Sequence, residues 1–311
     1  MARGTPIFGG IESGGTKVVC ALGEARSATM RARVQFPTGD DPRALFATVV
    51  AWFREAERLH GPLAALGVAS FGPLDLDARS PAYGHVTTTP KRGWRNADVL
   101  GPLRAAFPAT PIGLDTDVNG AALGEGCLGA ARGLEDFIYV TIGTGIGGGA
   151  VVRGVPVHGL VHPEMGHIPM PVVGGDTFAG ACAIHGRCWE GLCAGPAMHA
   201  RTGRAAEELP SDDPAWDLTA RYMAHALITL TYVLSPRRII VGGSVRKGGR
   251  LGEAAFFAKI RGHFREANAG YIAAPALDVG AIDSFIVPPE LGDDAGVLGA
   301  IELARRAHGS V

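Results

Sequence analysis

The chain has 311 residues, 47% of them hydrophobic, with a formal net charge of -1. Its mean hydropathy is +0.17, so it carries enough apolar material for two ordinary domain cores and too much for a disordered chain. Near-neutral charge excludes a basic field for nucleic acid or an anionic membrane, and five cysteines, with Cys20 and Cys127 alone in apolar or Gly-rich surroundings, read as a reducing, cytoplasmic compartment rather than a disulfide framework.

Met1 to Gly10 lacks the basic-then-apolar pattern of a signal peptide. The 46 glycines, about twice the usual ~7%, cluster at three strand ends. The first cluster is Phe8-Gly-Gly-Ile-Glu12-Ser-Gly14-Gly15-Thr16-Lys17-Val-Val, read as strand, tight turn, strand. Glycines 14 and 15 permit positive φ there and bring backbone N–H groups close to an anion. Asp41-Pro42 then opens a helix carrying Leu45, Val49, Trp52 and Phe53.

Ile112 to Leu114 reads as a short strand and Gly120 onward as a helix, which places Asp115, Asp117 and Asn119 at a strand end. A carboxylate there can take a proton from an attacking hydroxyl; an Asx turn with Asn119 as helix cap is the structural alternative. Phe137 to Val152, with Thr141-Ile-Gly143-Thr144-Gly145-Ile-Gly147-Gly148-Gly149, repeats the first hairpin pattern roughly 130 residues later and points to two related halves.

His162-Pro-Glu164-Met-Gly-His167 is followed by Cys182-x-x-His185-x-x-Cys188-Trp-Glu190. His167, Cys182, His185 and Cys188 suit a closed tetrahedral zinc shell of the structural kind, which would fix the direction of Glu164 and Glu190 as a platform for a polyol. Asp213-Pro214 caps a helix bearing Tyr222, Ala226, Leu230 and Val233 and stopped by Ser235-Pro236. Its Ala224 to Leu234 stretch is the longest apolar run and too short to span a bilayer. A buried-type strand, Arg238 to Val241, runs into Gly242-Gly243, and Asp293-Asp294 opens a last helix with Val297, Leu298, Ile301 and Leu303. Neither the P-loop spacing nor a Rossmann G-x-G-x-x-G is present. Two hairpins able to cup phosphates, plus a later diglycine turn, match a nucleotide held between two lobes.

In this order, Glu12-Ser-Gly-Gly-Thr-Lys17, Asp115-Thr-Asp-Val-Asn119, Thr141 to Gly149, Glu164-Met-Gly-His167 and the Cys/His cluster resemble the repressor, open reading frame and kinase (ROK) family of sugar kinases over nearly the whole chain. Ser70-Phe-Gly72-Pro73-Leu-Asp75, Tyr83-Gly-His-Val-Thr-Thr-Thr-Pro90-Lys91-Arg-Gly93-Trp94 and the Cys-x-x-His-x-x-Cys loop are most similar to its bacterial fructokinase branch. The resemblance implies an α/β fold of the actin-like, hexokinase-like (ribonuclease H-like) class, two lobes with mixed sheets and an interlobe cleft. Residues 1–119 plus 296–311 would form the N-terminal lobe and 120–295 the C-terminal lobe.

The resemblance also implies MgATP-dependent phosphorylation of the 6-hydroxyl of D-fructose, with ATP, Mg²⁺ and a structural Zn²⁺, a homodimer, and no nucleic-acid or membrane partner. Asp117 would be the general base; Gly72, Asn119, Glu164, His167 and Glu190 would bind sugar, with His167 serving zinc and sugar through different ring nitrogens. Gly14, Gly15, Thr16 and Lys17 would hold the transferring phosphates. Thr141, Gly143, Thr144, Gly145 and Gly147 would hold the others, and Gly242 and Gly243 would flank adenosine. Trp94 is expected either as a wall against the sugar or as a loop anchor. Three positions depart from the wider family: Glu12 stands where most members have Asp near Mg²⁺, Thr116 replaces an Asn that contacts sugar, and His185 replaces a Cys of the zinc loop. Carboxylate and glycine positions leave mannose, glucose or an N-acetylated aminosugar open as acceptors. A transcription regulator with the same lobes would need a helix-turn-helix ahead of the first hairpin, where only Met1 to Pro6 stand. A non-catalytic sugar-binding regulator would have no use for Asp117 together with three glycine turns.

Overall fold

A computed structural model of the protein describes residues 5–309. They fall into two compact units, one made of residues up to 133 with 155–163 and 290 onward, the other of 134–154 and 164–289.

The first unit is built on strands β1 (Ile7–Ser13), β2 (Lys17–Gly23), β3 (Met30–Pro37), β4 (Leu63–Ser70) and β5 (Ile112–Thr116), in the order β3-β2-β1-β4-β5. β1 and β2 form the expected antiparallel hairpin, and β1, β4 and β5 run parallel. Helix α1 (Pro42–His60) starts as its sequence predicts: Asp41 Oδ1 accepts from Arg43 N and Ala44 N at 3.0 and 3.1 Å, with Pro42 in the first turn. Its Leu45, Phe46, Val49 and Phe53 pack with Ile11, Leu66 and Val68 of the sheet and with Leu103 of α2 (Gly101–Ala106). α3 (Asp117–Leu128) follows β5 directly.

On the opposite sheet face, Val297, Leu298, Ile301 and Ala304 of the last helix pack on Phe8, Val19, Ala21 and Ala65. With both faces covered, the central strands read as apolar runs rather than alternating ones, while edge strand β3 alternates. The unit also includes the two-residue strand β8 (Val155–Pro156) and the segment that follows it.

The second unit contains the hairpin β6 (Phe137–Ile142) and β7 (Ile146–Val152), with β9 (Ile239–Gly242) and β10 (Ile286–Val287) added in parallel in the order β10-β9-β6-β7. Short helices α4 (Trp189–Cys193) and α5 (Gly195–Thr202) follow the Cys/His segment. Helix α6 (Pro214–Leu234) is capped by Asp213, which accepts from Ala215 N at 2.9 Å, and ends at Ser235 with φ +47°. It packs on α7 (Glu253–Asn268) through Trp216 and Phe256, whose rings meet edge-on at 5.2 Å. The final helix, α8 (Ala295–His308), belongs to the first unit. Among the described residues no helix is long and apolar enough to cross a membrane.

The division differs from the expected boundary after residue 119. Residues 120–133 belong to the first unit because α3 lies against α8 at backbone distance: a Cβ on Gly299 would overlap the Gly120 carbonyl, and one on Gly124 would overlap the Ala295 carbonyl. The same closeness holds between α8 and the sheet, where a Cβ on Gly67 would overlap the Ala300 carbonyl and stand 2.6 Å from Ala304 N. Gly67→Ala therefore forces α8 off β4 and is expected to lower stability by about 1–3 kcal/mol. Urea denaturation checks this, and an unchanged midpoint would contradict the packing.

Candidate active site

In the first unit three parallel strands end together. Ser13 of β1 is paired with Ser70 of β4, and Ser70 with Thr116 of β5, so the residues just beyond them emerge at one sheet edge, where parallel sheets present functional groups. From β1 come Glu12 and the turn to Lys17. Beyond β4, Phe71 N donates to Ser13 O at 2.7 Å, and Gly72 follows. A Cβ at Gly72 would stand 2.9 Å from Leu74 N and 3.2 Å from His162 Nε2. From β5 come Asp115, Thr116, Asp117 and Asn119.

The β5–α3 junction is held by hydrogen bonds. The Thr116 hydroxyl accepts from Asn119 N at 3.2 Å and caps α3. Asp115, buried, accepts at Oδ1 from Thr116 N (2.8 Å), Asn119 Nδ2 (2.7 Å) and His158 Nε2 (3.0 Å). Asn119 is fully buried, with Oδ1 unpartnered. The cap is thus Thr116, not Asn119, and the helix begins at Asp117 rather than Gly120, because a Thr hydroxyl three residues ahead of Asn119's first-turn amide satisfies it.

Asp117 accepts from Val118 N at 2.9 Å. Burial raises its carboxyl to about 6 against the pull of that amide and its own. Burial likewise pushes Glu12 up, to about 7, aided by the charges of Asp117 and Asp294 and opposed by Lys17 and Arg33. Glu12 Oε2 is buried with no hydrogen-bond partner, and its carboxyl lies where a side chain on Gly296 would be. The glycine makes room for the longer acid. His158 is raised by its hydrogen bond to Asp115, against burial.

The β1–β2 turn closes through Gly14 N donating to Lys17 O at 2.9 Å. Thr38 grips it from outside: its amide donates to Thr16 O at 3.0 Å and its hydroxyl to Gly14 O at 2.7 Å. Neither Gly14 nor Gly15 has positive φ, contrary to the expectation; what the glycines supply is an open approach, since a Cβ on Gly15 would meet nothing within 4 Å.

In the second unit, the register of β9 on β6 sets Thr141 opposite Gly242, so the two glycine turns are neighbours. Gly143 N donates to Gly145 O at 2.9 Å, and Gly195 N to Gly143 O at 2.8 Å. Gly243 does need its freedom: its φ is +85° and a Cβ there would overlap Ile142 O. Thr144 at the tip is exposed and Gly147 half-buried.

His167, Cys182, His185 and Cys188 place one ligand atom each within 4.8 Å of one another. His167 Nδ1 lies 3.9 Å from Cys182 Sγ and 3.6 Å from Cys188 Sγ, and His185 Nδ1 lies 3.9 Å from Cys182 Sγ. Tetrahedral Zn–S and Zn–N bonds of ~2.3 and ~2.0 Å give ligand edges of roughly 3.5 Å, so the donor set fits zinc. With Nδ1 turned to the thiols, His167 keeps Nε2 for another partner. Glu164 is exposed. Glu190 Oε2 accepts from Ile146 N at 2.9 Å and would stand 2.8 Å from a Cβ on Gly145, so one carboxylate ties the metal loop to the second glycine hairpin.

Trp94 is not a sugar wall. It is fully buried in the first-unit core, its Nε1 donating to Gly39 O at 3.0 Å and its ring 4.9 Å from that of Phe71. Arg92 is exposed and lies 3.9 Å from Asp40. Thr38, His158 and Asp176 gave no local signal, because each acts on residues far along the chain.

The model of the ROK family matches residues 8–307. The chain belongs to the ROK family. This ROK protein is 40% identical to a fructokinase of Zymomonas mobilis over 311 residues, covering 99% of each chain. It is 38% identical to a fructokinase of Pediococcus pentosaceus, covering 97% of this chain and 98% of that one. Among solved structures it is similar to a ROK family glucokinase from Streptomyces griseus in complex with glucose and AMPPNP, with 25% identity, a TM-score of 0.74, and coverage of 97% of this chain and 100% of the other. Its fold is the actin-like α/β type expected from the family resemblance.

The metal loop of this ROK protein is anchored by Asp176, which accepts from Arg201 Nη1 (2.7 Å), Tyr222 Oη (2.8 Å) and Phe178 N (3.1 Å), with Arg187 Nη2 at 3.7 Å. Burial works to raise its pKa, but Arg201, Tyr222 and the Phe178 amide hold it at about 2. A depressed pKa stabilises the fold above the unfolded value near 4, and that contribution is lost as pH falls toward 2. Asp176→Asn should cost about 3 kcal/mol at pH 7 and remove this part of the acid sensitivity. Thermal melting at pH 7 and pH 3 checks both effects; equal loss at the two values would contradict the assignment.

Proposed function

We propose that the protein is an ATP-dependent fructokinase that transfers the γ-phosphoryl group to the 6-hydroxyl of D-fructose, giving fructose 6-phosphate. The observation that carries the reading is Asp117: a partly accessible carboxylate at the common end of three parallel strands, raised to about 6 by burial. Such a group is charged at neutral pH yet basic enough to share a proton in the transition state. The full-length similarity to fructokinases supports fructose as the acceptor.

In the mechanism Asp117 accepts the 6-hydroxyl proton as that oxygen bonds to the γ-phosphorus. The bond from phosphorus to the β,γ-bridging oxygen breaks, ADP leaves, and the proton passes from Asp117 to solvent. The enzyme contributes mainly position and charge. Gly72 would contact sugar through its backbone, and the Gly14 to Lys17 turn would hold the transferring phosphates. Glu164, Glu190 and His167 Nε2 would bind sugar hydroxyls, the Thr141 to Gly147 turn the other phosphate oxygens, and Gly242 and Gly243 would flank adenosine. Asn119, buried and bonded to Asp115, is better suited to holding that carboxylate than to reaching sugar.

The raised carboxyl of Glu12, with Oε2 unpartnered, fits a divalent cation, and Glu12 would hold Mg²⁺ directly or through water while Asp117 stays free to act as the base. Bound there, the ion supplies positive charge for phosphate oxygens. The Cys/His set would hold a structural Zn²⁺ that orients Glu190 and His167. A cytoplasmic location and a homodimer go with this reading.

Asp117→Asn should lower kcat for fructose about 10²–10⁴-fold while ADP binding, measured by calorimetry, stays within about threefold; near-normal turnover would reject the base. Elemental analysis should find about one zinc per chain. Cys182→Ser/Cys188→Ser should lose it and raise the KM for fructose more than that for ATP, and a metal-free variant with full activity would refute the scaffold.

A further inference from the structure

His158 lies on 155–163, a segment of the first unit that runs directly into Glu164. Its ring reaches back 43 residues to donate from Nε2 to Asp115 Oδ1 at 3.0 Å, which leaves Nδ1 for its hydrogen bond with the Pro156 backbone. Both nitrogens are engaged, so the ring is held although its side chain is 39% exposed. Asp115 is 4% exposed, and the same Oδ1 takes Thr116 N and Asn119 Nδ2. These three donors come from β5, from the first turn of α3 and from the distant segment. Asp117 lies between the two local ones. Four residues on, His162 fixes the segment again by accepting from Leu74 N at 3.1 Å, beside Gly72.

We propose that His158 is a positioning residue for phosphoryl transfer: through the shared Asp115 oxygen it fixes the start of α3 and so the direction of the Asp117 carboxylate. The inference rests on the kinase reading for its kinetic consequence only. His158 touches neither Asp117 nor, on this account, the substrate. It therefore acts on the orientation of the base, and displacement of a reacting group by about 1 Å is worth up to roughly 10²-fold in rate.

The test uses the geometry of the ring. Gln places an amide N–H near the position of Nε2, whereas Asn reaches only the position of Nδ1 and Phe offers no donor. His158→Asn and His158→Phe should lower kcat about 10- to 100-fold with the KM for ATP and for fructose within about twofold, and His158→Gln should restore kcat to within about threefold of wild type. In an Asp115→Asn background, His158→Asn should add nothing further.

A readout independent of turnover is hydrogen exchange of the peptide covering 115–121, expected to be about tenfold faster in His158→Asn and unchanged in His158→Gln. Unaltered exchange in the Asn variant, or a Gln variant as impaired as Phe, overturns the proposal. If the wild type turns over no sugar, the kinase reading fails, and the exchange measurement still decides whether His158 holds α3.

Discussion

Backbone contact between α8 and its neighbours is the constraint from which the rest of the first unit follows. Glycines at 67, 113, 124 and 299 let carbonyls of one element occupy the place of side chains on another, and Gly120 leaves the same place to the Ala69 methyl group. This leaves α3 little freedom relative to the sheet, since a helix pressed against a partner at backbone distance cannot slide without overlap. α3 begins at the residue after β5, so fixing the helix also fixes Asp117. The in-register ends of β1, β4 and β5 bring Glu12 and Gly72 to the same edge, and Gly296 of α8 gives Glu12 its space. One close-packed layer thus sets both the position of the base and its burial, and burial is what lifts its pKa.

The second unit solves a different problem, that of holding loops with little core of their own. Four metal-type ligands gather within a small sphere, Asp176 clamps the start of that loop to α5 and α6 through Arg201 and Tyr222, and Glu190 bonds the second glycine hairpin. Charge-assisted hydrogen bonds here do what apolar packing does in the first unit. A loop so fixed can present exposed carboxylates such as Glu164 without burying them.

Much of this was legible in the sequence where the cause is local. Asp-Pro pairs at 41–42 and 213–214 marked helix starts because a capping carboxylate and a preset φ act within one turn. The hairpins, the buried strand before Gly242 and the Cys/His quartet followed from residue pattern and spacing. What escaped depends on partners far along the chain. Trp94 looks like a loop aromatic until Phe46, Phe71 and Gly39 enclose it. Gly14 and Gly15 suggested positive φ, which neither adopts, and at Gly145 the need is space for Glu190, 45 residues away in sequence. His158 and Asp176 carry no motif at all: each is defined by side chains 25 to 46 residues distant. The division of the units shifted for the same reason, because α3 belongs with the helix it packs against rather than with the hairpin it precedes.

The central claim is that this architecture directs a phosphoryl group to one hydroxyl of one hexose. The most direct measurement is phosphorylation of fructose, mannose, glucose and N-acetylglucosamine by MgATP, ranked by kcat/KM, with the site of phosphorylation assigned by NMR of the product. The account predicts fructose first by at least about tenfold and phosphate on its 6-oxygen. Preference for another hexose, or a product carrying phosphate elsewhere on fructose, would contradict it.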